Sequence, residues 1–153
     1  MKKLFKLILI FSFFSLNSAQ TFAAEKVDYL KTDWSFKGLF GKFDRAALQR
    51  GYKVYREVCS GCHSMKLLYY RDLMDIGFSD EQVKAIAADY TVIDGPNDEG
   101  AMFERPARPS DKFVGPFAND QEARYNNNGA YPPDLSVIAK ARNNGSDYLY
   151  NLL

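Results

Sequence analysis

Cysteine and histidine are scarce in this chain, at two and one among 153 residues. That count excludes a disulfide-dense scaffold. It also excludes a closed structural zinc site, which takes four nitrogen or sulfur ligands. A single His leaves no second imidazole for the distal acid–base work of a peroxidase-like enzyme. Charge of one sign is lacking too: 20 basic residues face 19 acidic ones, a net +1. No apolar run is long enough to span a bilayer. Residues 7–16 form the most apolar stretch, well short of the about 20 residues a spanning helix needs. No alternating strand pattern of any length and no internal repeat can be found. The expected fold is therefore mostly α, with long loops.

What the N-terminus does contain is a basic start (Lys2, Lys3, Lys6), then the apolar run, then small and polar residues closing on Thr21-Phe22-Ala23. This is the pattern of a secretory signal peptide cleaved near Ala23 or Ala24. The expected organisation is a signal peptide over residues 1–23 and one domain over 24–153. Without residues 1–23, which hold three lysines and no acid, 17 basic face 19 acidic residues, a net charge of −2. A mildly acidic exported domain is a poor nucleic-acid binder, so no nucleic-acid partner is expected. Export implies an oxidising compartment, where a bare cysteine pair closes into a disulfide.

Residues 25–43 mix aromatics with charges and carry no sustained period, as an arm lying across a domain would. From Asp44, a plausible N-cap, Ala47, Gly51, Val54, Tyr55 and Val58 recur at helical spacing. Gly51 costs a helix interior about 1 kcal/mol relative to Ala. It suits either a close helix crossing with Tyr55 packed one turn on, or a surface turn that tolerates it. A second helix is signalled by SDEQVKAIAADY, with Ser79 and Gln82 as a capping box and Val83, Ile86, Ala87 and Tyr90 as its buried stripe. Residues 91–118, rich in Gly and Pro, form a long loop of their own. Asn119 and Glu122 open a short helix that ends before Gly129, and SVIAKAR and SDYLYNLL read as two more short helical segments.

Both cysteines and the histidine fall in REVCSGCHSM, as Cys59, Cys62 and His63. A thioredoxin-like redox pair places its first Cys at a helix N-terminus after a strand, whereas this pair follows a helix. The remaining chemistry is covalent haem. Each thiol adds to one vinyl group, and the adjacent His supplies an imidazole nitrogen as the fifth iron ligand. Attachment of c-type haem outside the cytoplasm agrees with export.

The stretches RGYKVYREVCSGCHSM, DGPNDEGAMFERPARPSDKF and ARYNNNGAYPPDLSVIAKAR together closely resemble the cytochrome c1 family, the c-type haem subunit of the quinol–cytochrome c reductase (cytochrome bc1) complex. The likeness runs from about residue 28 to residue 153. It implies a cytochrome c-like haem domain, with haem c thioethers on Cys59 and Cys62 and iron on His63. It further implies that the carbonyl of Pro132 or a neighbour accepts a hydrogen bond from the His63 ring, and that Arg142 and Tyr148 lie near the haem propionates. The family's sixth ligand is a Met followed by a closing helix and a C-terminal membrane anchor, all beyond residue 153. The domain is accordingly expected to be incomplete at its C-terminus. Met65 is too close to His63 to reach the opposite haem face, and Met74 and Met102 read as packing or loop residues. A chain of these residues alone is expected to hold a haem that is five-coordinate or bound by a stray ligand, on a marginal domain.

The resemblance implies one-electron transfer from a Rieske iron–sulfur protein to a soluble cytochrome c, in a complex with cytochrome b, on the periplasmic or intermembrane-space side of the inner membrane. A haem enzyme or gas sensor with an open sixth position is the alternative, and a thiol oxidoreductase would require both thiols to be free. Asp94, Asp98, Glu99 and Glu104 precede the first basic residue of their loop, Arg105. With the resemblance, they suggest a surface that steers a basic cytochrome c.

Overall fold

The computed structural model describes residues 28–153, so the signal-peptide pattern lies outside the described residues. Asp44 caps the first helix, α1 (Arg45–Glu57), by accepting from the Ala47 N–H at 3.2 Å. A 3₁₀ turn (Cys59–Gly61) follows directly. A 3₁₀ helix over Tyr70–Ile76, which the sequence did not signal, ends at Gly77 with φ of 101°. The second predicted helix, α2 (Asp80–Ala88), carries the expected capping box between Ser79 and Gln82. Of its expected stripe, Val83 and Ala87 are fully buried, while Ile86 and Tyr90 are partly buried against the same core.

The long loop is where the structure departs from the sequence reading. It contains two antiparallel strands, β1 (Thr91–Asp94) and β2 (Phe103–Pro106), paired from Thr91 opposite Pro106 to Asp94 opposite Phe103. Four residues per strand are too few for a period of two to stand out. Non-local contacts make this hairpin instead. Ala107 N–H donates to the Tyr90 carbonyl at 2.8 Å. Arg105 joins the carboxylates of Asp94 and Asp111, the latter through both guanidinium NH₂ groups at 2.6 and 3.1 Å. Residues 109–113 then run beside 68–71, through Tyr70 N–H to Asp111 and Phe113 N–H to Leu68, both 3.0 Å.

Three short helices complete the chain: α3 (Asp120–Asn126), α4 (Ile138–Ala141) and α5 (Gly145–Leu152). Asn119 caps α3 by accepting from Glu122 N–H, and the Glu122 carboxylate reaches back to Ala118 N–H rather than to the cap residue itself. The 25–43 arm, described from residue 28, lies on α5. Asp147 accepts from Trp34 Nε1–H at 2.6 Å, Lys37 Nζ at 2.8 Å and Thr32 N–H at 3.3 Å. Asn151 pairs with both backbone groups of Leu30. Among the described residues no helix is long and apolar enough to cross a membrane.

The core is small and aromatic. Tyr55 of α1, Tyr70 and Leu73 of the 3₁₀ helix, Val83 and Ala87 of α2, and Ala107 and Phe113 form one cluster. The rings of Tyr70 and Phe113 lie 4.9 Å apart, and those of Tyr55 and Phe113 6.2 Å. Cys59, Met65 and Leu135 pack against this cluster, so the core sits directly behind the cysteine motif. Gly51 has nothing within 4 Å of where a Cβ would stand. Among the described residues, then, no helix crosses there.

Candidate haem-attachment site

The turn that carries the motif begins where α1 ends. Val58 leaves helical geometry with φ of −122° and ψ of −58°, and the chain tightens into the 3₁₀ turn. The Cys59 carbonyl accepts from both Cys62 N–H at 3.1 Å and His63 N–H at 2.8 Å. One carbonyl thus gathers both thiols and the imidazole into a single loop. Ser60 Oγ adds a bond to the Arg56 carbonyl at 2.7 Å, which ties the turn to α1. Cys59 is partly buried and Cys62 exposed, and the two are not joined in a disulfide.

His63 is held from two sides. Tyr55 Oη donates to its carbonyl at 3.2 Å. Burial pushes the Tyr55 hydroxyl up to about 12, so it stays protonated and able to donate. On the ring, Nδ1 stands 2.8 Å from the Pro133 carbonyl. A carbonyl can only accept, so the proton belongs on Nδ1 and the lone pair on Nε2 is left for a ligand. The expected carbonyl, that of Pro132 or a neighbour, is the neighbour's, Pro133. In an extended Pro–Pro segment successive carbonyls point in different directions, and here the second faces the ring. Pro132 instead helps line a cleft of about 140 Å³ beside Cys62, Ser64, Lys66, Phe117 and Tyr131.

The segment bearing Pro133 is fastened by its neighbour. Asp134 accepts from Ser64 Oγ at 2.9 Å and Lys66 N–H at 2.8 Å on one oxygen, and from Ser136 N–H at 2.9 Å on the other. Burial pushes this carboxyl up, but the bonds from Lys66 and Ser136, with that from Ser64, outweigh it and hold the group down at about 2. Leu135 N–H donates to the Ser64 carbonyl at 2.8 Å, and Leu67 N–H to Ser136 Oγ at 3.1 Å. Sequence reasoning passed over Asp134, Ser64 and the Tyr55 hydroxyl. Asp134 lies inside the stretch ARYNNNGAYPPDLSVIAKAR, but two of its three partners, Lys66 and Ser64, are 68 and 70 residues away.

Arg142 and Tyr148 take no part in these bonds. Arg142 is exposed beyond the end of α4, and Tyr148 packs its ring 6.3 Å from that of Tyr29 in the arm. Met65 packs on the core, while Met74 and Met102 are 42% and 60% exposed.

A sequence model of the Cytochrome C1 family matches residues 34–153. The chain belongs to the cytochrome c1 family. It is similar to "Cytochrome c1-1, heme protein, mitochondrial" of Solanum tuberosum, 52% identical over 120 residues, which cover 78% of this chain and 38% of that one. "Cytochrome c1" of Rhodospirillum rubrum is 52% identical over 123 residues, covering 80% and 45%. "Cytochrome b-c1 complex catalytic subunit, mitochondrial" of Candida albicans is 46% identical over 121 residues, covering 79% and 42%. The chain thus spans less than half the length of each of these relatives.

The donor set suits a c-type haem. Two unpaired thiols flank a two-residue spacer, and the imidazole beside them has its second nitrogen free. Val54 and Val58, one turn apart beside the motif, are 54% and 71% exposed, apolar surface that a flat apolar macrocycle would cover. The adjoining cleft is smaller than the about 300–1,000 Å³ of a pocket that encloses a ligand. Covalent thioether bonds, not enclosure by the described residues, would therefore retain the group.

Proposed function

We propose that this chain carries haem c on Cys59 and Cys62, with His63 as proximal ligand, and serves as the electron-transfer subunit of a cytochrome bc1 complex. The observation that carries the reading is the His63 ring fixed on Nδ1 by Pro133 at 2.8 Å, immediately after two unpaired thiols. Bound haem supplies a one-electron ferric–ferrous couple. The chain's own residues orient it. Cys59, packed against the core, and Cys62 would carry its thioethers, and Pro133, by keeping the imidazole proton on Nδ1, would leave Nε2 as the iron ligand.

The proposed route takes an electron from a Rieske iron–sulfur protein and delivers it to a soluble cytochrome c, with cytochrome b as a neighbouring subunit. The site is the exported face of the inner membrane, periplasmic or intermembrane-space. The exposed carboxylates of Asp98, Glu99 and Glu104 would attract a basic acceptor. Asp94 is engaged by Arg105 and adds little to that field.

Mass spectrometry of the denatured, exported protein tests attachment, with a polypeptide that keeps the mass of haem after unfolding as the expected result. Haem that separates while both thiols titrate as free overturns the reading. A visible spectrum of the full-length protein that changes on adding carbon monoxide or cyanide would favour the enzyme or gas-sensor alternative instead.

A further inference from the structure

Pro132 and Pro133 have no backbone N–H, so the stretch that faces His63 brings no main-chain donor of its own to hold it in place. What anchors it is the residue that follows. Asp134 collects Ser64 Oγ and Lys66 N–H from the chain just after the motif, together with Ser136 N–H from its own segment. Leu135 N–H to Ser64 and Leu67 N–H to Ser136 complete the staple. These bonds join 64–67 to 134–136 at the residues next to both partners of the His63–Pro133 bond. We propose that Asp134 is a positioning residue that holds the Pro133 carbonyl on His63 Nδ1 and so sets the donor strength of the proximal iron ligand.

The inference rests on the haem reading above. A firm Nδ1–H···O bond makes the imidazole a better donor, and a better donor favours ferric over ferrous iron. Loosening the staple should therefore raise the reduction potential. Removing a negative charge near the haem raises it as well, so the decisive variants keep the charge. Asp134→Glu retains the carboxylate, but its extra methylene cannot hold Ser64, Lys66 and Ser136 in the same geometry. Ser64→Ala removes one bond of the staple and leaves the charge untouched.

The experiment is a redox titration of the haem-loaded full-length protein, paired with proton NMR of the His63 Nδ1–H. Asp134→Glu is expected to raise the potential by up to about tenfold in the reduction equilibrium constant, about 59 mV for one electron. Ser64→Ala should move it less, in the same direction, and in both variants the Nδ1–H should exchange faster with solvent. If both variants keep the parent's potential and exchange rate while Asp134→Asn alone shifts the potential, Asp134 acts only as a distant charge and the proposal fails. Absence of covalent haem in the unmutated protein would overturn the functional reading first, before any variant is compared.

Discussion

Asp134 and Asp147 are both carboxylates held down at about 2, yet they work in opposite ways. Asp134 gathers backbone N–H groups and a serine hydroxyl, and it locks together two segments that flank the motif. Asp147 is held first by Lys37 and then by Trp34, with Thr32 N–H adding to them, and it fastens the arm to α5. One is a neutral-donor staple at the centre, the other an ionic latch at the edge. Main-chain donors cannot swing away or be screened, whereas a lysine on a flexible stem can do both.

The first way to break this comparison is Asp134→Ala. It strips three donors of a charged acceptor at once, and bonds to charged groups contribute about 1.5–3 kcal/mol each when water cannot replace them. The segment is only partly buried, so a loss of about 2–4 kcal/mol in urea unfolding is expected. Neutralising the carboxylates that neither staple nor latch uses tests a different role. With Asp98, Glu99 and Glu104 changed to their amides in the full-length protein, cytochrome c reduction should slow roughly tenfold at low ionic strength and little at high. Adding Asp94→Asn should contribute least, because Arg105 already engages that group; stopped-flow rates across a salt series decide it.

Salt and acid sharpen the contrast further. Raising ionic strength from about 0.01 to 1 M shortens screening from about 30 to 3 Å. Trypsin cleavage after Lys31 should therefore speed up severalfold, while exchange of the Lys66 and Ser136 amides stays level. Acid does not discriminate between the two carboxylates. Both folded values lie below the about 3.9 of an unfolded Asp, so the folded state binds fewer protons there. Their contribution is complete above about pH 4 and is lost as pH falls toward about 2; equilibrium unfolding across that window should show it. The smallest expected effect is at Gly51. With open space at its Cβ position and φ in the ordinary helical range, Gly51→Ala should stabilise residues 28–153 by about 0.5–1 kcal/mol. A lower melting temperature would show instead that a close-packed element covers this face.

What the sequence made legible is what one side chain does to its near neighbours. Asp44, Ser79 and Asn119 cap helices through donors three residues on, and the cysteine–histidine register lies within five positions. The hairpin, the Tyr70 helix and the Asp134 staple depend on partners brought together by the fold. Tyr70 is read as a core residue only once Asp111 and Phe113 lie beside it. Pro133 could be distinguished from Pro132 only by the direction of a carbonyl, which no residue pattern encodes.

Seventy residues separate His63 from the Pro133 oxygen that fixes its ring, so this one bond closes a loop of that length. The entropic cost of such a loop grows only with the logarithm of its length, but it must be met before the contact can form. The ring therefore gains its orientation only when residues 64–67 and 134–136 come together, unlike the local turn at Cys59 that needs no distant partner. Local opening of that junction would free the imidazole while leaving the turn and α1 intact.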